Sequence, residues 1–156
     1  MLHPSGLGRR QGNVVGMAVA DAAWAAGFFD GEGHIGISHR PRQRRFVLRI
    51  IVVNTDISAL QKLRLLFGFG AVHARPRRDA ERHRQAYHWQ LGAKAAESFL
   101  KTVLPYLTVK RRQAEIALEF RGLGQNEPFK AITQEVYSKM LSLEDGLRQL
   151  NSRGLK

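Results

Sequence analysis

Residues 25–33 read Ala-Ala-Gly-Phe-Phe-Asp-Gly-Glu-Gly, and no other stretch constrains the fold as much. Asp21 is placed to N-cap a short helix over residues 22–29. Alanines and aromatics make that helix apolar nearly all round, so it must be buried in a core or against a partner. Two glycines in Asp30-Gly31-Glu32-Gly33 stop it. Residues 31–36 match the G-x-G-x-x-G dinucleotide pattern, which needs a strand before it and a helix after it. Here the order is reversed, so a phosphate would meet no helix N-terminus, and that reading is rejected.

Periodicity orders the rest. Residues 34–39 alternate as a strand, with His34, Gly36 and Ser38 on one side and Ile35 and Ile37 on the other. A turn with Pro41 spans 40–45, and a β-branched strand spans 46–54. Asp56 caps an amphipathic helix over 57–67, closed by Gly68 and Gly70. Residues 71–78 and 84–91 form a second hairpin around a charged loop at 79–83. Helices follow at 94–107, 111–120 and 132–150, with a linker at 125–128. The fold class is α+β, in the order α-ββ-α-ββ-α-α plus a last helix. The domain plan is a flexible leader (1–20), a core domain (21–123), and a linker with a C-terminal helix packing on the core (124–156).

Charge narrows the partner. The net charge of +12 points to a polyanion. With no cysteine, disulfide frameworks, thiolate zinc sites and cysteine nucleophiles are excluded. No run approaches the roughly 18 apolar residues of a membrane span. From residue 34 to 78 the only carboxylate is Asp56. A pleated sheet sends alternate residues to one face, so His34, Gly36, Ser38, Arg40, Arg49 and Ile51 share a surface with His73, Arg75 and Arg77. Arg84 and His88 on the returning strand add to it. Such a sheet suits the major groove of duplex DNA. Arg42, Arg44 and Arg45, in the turn, are placed to hold phosphates. Only Phe46, Tyr87 and Trp89 interleave aromatics there, which disfavours stacking on single strands. His83 and His88, five apart on a hairpin, point to opposite faces and make no metal site.

With these residues in view, 25–33 resembles the LAGLIDADG motif of homing endonucleases. Gly27, Asp30, Gly31, Glu32 and Gly33 occupy its characteristic places; Ala25 replaces the leading leucine. The resemblance covers roughly 21–123 and shares the element order. It implies a site-specific endonuclease that hydrolyses phosphodiesters of double-stranded DNA. Two motif helices would pack backbone to backbone through Trp24, Ala26, Gly27, Asp30 and Gly31, with Asp30 mainly structural. Glu32, with Gly31 beside it, would hold Mg²⁺, with Mn²⁺ as a substitute and Ca²⁺ supporting binding without cleavage. Asn54 would order water and Lys110 would support the charge change in cleavage. A basic residue that some relatives carry early in the next helix is missing, since Ile57 and Ala59 stand there.

One motif in a short chain implies a homodimer on a long pseudo-palindromic target. No membrane and no organic cofactor is expected. The implied setting is intracellular, in the cytoplasm or nucleoid of a bacterial or phage-infected cell, or in an organelle, with an intron as the coding context. A non-catalytic DNA-binding regulator and an RNA-binding intron maturase are the alternatives on the same fold.

Overall fold

A computed structural model describes residues 16–77, 79, 81–124 and 132–153. Residues 1–15 of the expected leader and 125–131 of the expected linker lie outside the described residues. The elements are α1 (Val19–Glu32), β1 (Gly33–Arg40), β2 (Arg45–Asn54), α2 (Ile57–Phe67), β3 (Ala71–Ala74), β4 (Tyr87–Gly92), α3 (Ala93–Val103), α4 (Arg111–Gly122) and α5 (Gln134–Arg153). The architecture is α+β, as expected. All strand pairs are antiparallel, in the order β1-β2-β4-β3.

Helix α1 is longer at both ends than its sequence suggests. It starts at Val19, inside the expected leader, and its N-cap is Ala18, which makes no side-chain bond. Asp21 is therefore not the cap. It lies in the first turn, where the helix dipole favours a carboxylate. Nor does Gly31 end the helix. Helical backbone continues through Glu32 and turns extended at Gly33, whose N–H donates to the Phe29 carbonyl. A Cβ on Gly33 would run into the Phe29 ring, so this glycine serves close packing.

Helix α2 matches its expected bounds. Asp56 accepts from Ser58 N–H at the start, and Gly68 takes the left-handed conformation at the end, φ 74°. The second hairpin is shorter than expected. Its strands stop at Ala74 and resume at Tyr87, which leaves Arg75, Arg77 and Arg84 outside the strands. The helix expected over 94–107 breaks at Val103 into a 3-10 turn at Leu104–Tyr106, where Pro105 lacks the N–H that a helix needs.

The core lies on one sheet face. Ile35, Ile37, Phe46, Leu48, Ile50, Val52, Trp89 and Leu91 are all buried there. Phe99 is its centre, 5.1 Å from Phe29, 4.8 Å from Phe67 and 5.3 Å from Trp89 between ring centroids. Phe46 and Trp89 are thus core residues and cannot interleave with bases, which corrects the expectation of aromatics on the basic face. Arg121, 6% exposed, joins α4 to α3 through Glu97 at 3.1 Å. Burial pushes the Glu97 carboxyl up, but hydrogen bonds from Lys101 and Arg121 win and hold it below the usual range.

Helix α5 lies along α4 and β1, with Met140 and Leu147 buried. Strand β1 is a sheet edge, and an edge carries unpaired backbone groups. Asn151 Nδ2 donates to the Ile35 carbonyl at 2.9 Å, and the Tyr137 hydroxyl pairs with His39 Nε2 at 2.8 Å. Among the described residues no helix is long and apolar enough to cross a membrane.

Candidate active site and nucleic-acid interface

The end of α1 and the loop before α4 meet at Asp30. Its carboxylate accepts from Thr108 N–H at 2.8 Å and from Lys110 N–H at 2.9 Å. The Asp30 carbonyl, freed by the helix end, accepts from Lys110 Nζ at 2.6 Å. Asp30 thus fixes the loop into α4, and with it the N-cap residue Lys110, against the helix that carries Glu32. Burial depresses the Lys110 pKa, opposed by the Asp30 and Glu32 carboxylates. Glu32 itself is exposed at the last position of α1, and Gly31 beside it is exposed too.

Asp30→Ala is expected to cost about 2–3 kcal/mol, because two N–H donors lose a charged acceptor. Thermal and denaturant unfolding will read this. An unchanged midpoint would show that the tie holds nothing.

Asn54 ends β2, and its Oδ1 accepts from Asp56 N–H at 2.8 Å. That oxygen is spent on starting α2. His34 follows the motif directly. Burial and then the Lys110 ammonium lower its pKa, which favours the neutral imidazole.

Strand register builds the second surface. Opposite the core, β1 presents His34, Gly36, Ser38 and Arg40. Their partners on β2 are Ile51, Arg49, Val47 and Arg45. Gln90 pairs with Ile51, and His88 pairs with Val53 on one side and His73 on the other. Arg75 continues the row, its N–H donating to Ala86 O at 2.8 Å. Among the described residues no strand contains a carboxylate. Nine of the expected interface residues therefore share one face: His34, Gly36, Ser38, Arg40, Arg45, Arg49, Ile51, His73 and His88.

The turn residues divide. Arg42 is exposed in the 3-10 turn Pro41–Gln43. Arg44, left-handed at φ 47°, places its guanidinium 4.4 Å over the Tyr137 ring and donates to Gln134 Oε1 at 3.0 Å. It is engaged with α5 rather than aimed out from the sheet. Gln90, Val47 and Val53 complete the face and were not picked out by the sequence reading, although the alternation that placed Arg49 and Ile51 places Val47 and Val53 as well.

The exposed stripe of α1 is Ala20, Ala23, Gly27 and Gly31. A Cβ on Gly27 or Gly31 would meet nothing within 4 Å. Ala26 is 0% exposed and packs in the core, so it cannot line a seam with a second chain, contrary to expectation. Trp24 is half-buried, stacked on Phe28 at 5.4 Å, with Lys62 Nζ 4.0 Å over its ring.

A scan against protein-family models gives no match, and neither does a search of curated proteins. Solved structures do match. The homing endonuclease I-CvuI, in complex with its target in the presence of Ca, superposes with TM-score 0.67 at 24% identity, over 85% of each chain. The archaeal intron-encoded homing endonuclease I-Vdi141I, complexed with DNA, gives 0.67 at 16% identity over 84% of each chain. The LAGLIDADG meganuclease I-AabMI, bound to uncleaved DNA, gives 0.63 at 20% identity, over 79% of this chain and 43% of that one. This chain has the fold of the LAGLIDADG homing endonucleases.

Proposed function

We propose that this protein is a site-specific double-stranded DNA endonuclease that cleaves a long pseudo-palindromic target as a homodimer, by metal-dependent hydrolysis of phosphodiesters. The observation that carries this reading is the placement of Glu32 and Lys110. The exposed carboxylate that ends the motif helix stands beside a lysine held by Asp30, next to a carboxylate-free basic sheet.

The donors suit a hard cation. Glu32 offers a carboxylate, and the Gly31 carbonyl has no N–H ahead of it in the helix, so both ligands are oxygens, as Mg²⁺ prefers. Among the described residues no three His, Cys, Asp or Glu side chains gather to hold a metal. One chain is therefore short of ligands, and a two-fold copy together with target phosphates would supply the remainder. Mn²⁺ is the natural substitute, and Ca²⁺ would support binding without cleavage. When bound, Mg²⁺ activates water and stabilises the leaving oxygen.

The chain's own groups do the rest. Lys110, anchored through Nζ, places positive charge where the phosphate gains negative charge. Asn54 helps order water through the side-chain amide that Asp56 does not use. Sheet residues hold the duplex in register. Gly27 and Gly31 let two α1 helices approach closely.

The test is a library of random duplexes offered to the protein in Ca²⁺ and then in Mg²⁺. Enrichment of a pseudo-palindromic sequence in Ca²⁺, and its cleavage on both strands in Mg²⁺, is the expected result. Enrichment without cleavage would point to a DNA-binding regulator. Failure to bind duplex beside tight binding of structured intron RNA would point to a maturase.

A further inference from the structure

An antiparallel sheet with one open face alternates apolar-in and polar-out. Strand β2 breaks that rule. On its outer face, Val47, Ile51 and Val53 interrupt the polar positions Arg45 and Arg49. All three are partly exposed. None is among the half-buried apolar residues that pack against the core. No helix needs them, yet they lie in the middle of the face on which the positive charge is collected.

Their neighbours are polar. Ser38 flanks Val47, His34 and Gln90 flank Ile51, and His88 flanks Val53. Arg49, between the apolar positions, has Gly36 and Gly92 as its two cross-strand neighbours, so no side chain stands directly opposite it. The surface is a short apolar stripe set inside hydrogen-bonding and cationic groups.

In the major groove only one base edge offers an apolar group, the C5-methyl of thymine (5-methylcytosine carries the same group). The spacing fits. Two residues along a strand advance about 6.8 Å, the rise of two base pairs at 3.4 Å each. Val47 to Val53 therefore spans about six base steps. We infer that Val47, Ile51 and Val53 form a methyl-reading stripe that selects thymines in each half-site, with Gln90 beside Ile51 and Arg49 between the apolar positions to read adenine and guanine edges. This rests on the DNA-binding reading above. The positive, carboxylate-free surround commits the stripe to duplex DNA rather than to an apolar protein partner.

Deoxyuridine in place of thymine tests the stripe, since it removes only the methyl and keeps base pairing. A preferred duplex is first selected in Ca²⁺ from two libraries, one unmodified and one with 5-methylcytosine for cytosine. Its affinity is then measured with thymine and with deoxyuridine in the half-sites. Wild type is expected to lose about fourfold for each contacted methyl. The Val47→Ala, Ile51→Ala, Val53→Ala triple variant is expected to bind the thymine duplex more weakly and to lose nothing further with deoxyuridine. Its unfolding midpoint should stay near wild type, because these side chains lie off the core. Equal wild-type affinity for both duplexes would overturn the inference and leave the endonuclease reading standing. Enrichment of methylated cytosines in place of thymines would overturn the choice of thymine. No enrichment in either library would overturn both readings.

Discussion

Glu32→Gln will bind the selected duplex at least as tightly as wild type and will cut it at least about a thousandfold more slowly. The loss corresponds to about 4 kcal/mol of transition-state stabilisation. An amide keeps the size of the side chain and offers one neutral oxygen, which is a poor ligand for a hard dication. Removal of a negative charge beside phosphates favours binding if it does anything. Folding should not change, because Glu32 is exposed at the end of α1 and no hydrogen bond of the described structure depends on its carboxylate. Gel-shift titration in Ca²⁺ and single-turnover cleavage in Mg²⁺ separate the two effects. Cutting within tenfold of wild type would remove Glu32 from the chemistry. A parallel loss of affinity would give it a role in binding instead.

The contrast between Glu32 and Asp30 shows what a sequence can and cannot reveal. Both carboxylates stand in one short motif. That Asp30 would act structurally could be anticipated from the motif. Its partners could not, because Thr108 and Lys110 are 78 and 80 residues away, and no local pattern records such a contact. Helix α2 was legible to the residue, since its start is an Asp56 side-chain cap and its end is a left-handed glycine. Helix α1 is not, since its N-cap is Ala18, without a side-chain bond, and Asp21 in the first turn has the residue type of a cap. The β-branched run over 46–54 marks β2, whose alternation then buries Leu48, Ile50 and Val52. Strands β3 and β4 are shorter than the sequence suggests, because the arginines between them are as compatible with a loop as with an exposed strand. The same ambiguity hid the engagement of Arg44 with Tyr137 and Gln134, which depends on where α5 docks.

The proposed seam offers the sharpest separation of fold from function. Gly27→Leu should leave each chain folded and break the pair. The chain's own structure has room for the change: Gly27 is exposed, and a Cβ there meets nothing within 4 Å. Leucine in place of a mid-helix glycine should even stabilise the isolated chain by about 1 kcal/mol through helix propensity. Between two helices in backbone contact the same side chain is an obstruction, since such crossings depend on small residues. Sedimentation is therefore expected to give half the wild-type mass, with an equal or higher unfolding midpoint. Uncoupled half-sites lose the effective concentration that a dimer provides, so affinity for the full target should fall by about a hundredfold or more. Double-strand cleavage should fall with it. Gly27→Ala, much smaller, should keep most of the dimer. A Gly27→Leu protein that remains dimeric and cuts both strands would place the seam elsewhere than on the Ala20, Ala23, Gly27 and Gly31 stripe. A wild type that sediments as one chain while cutting both strands would remove the need for a partner altogether.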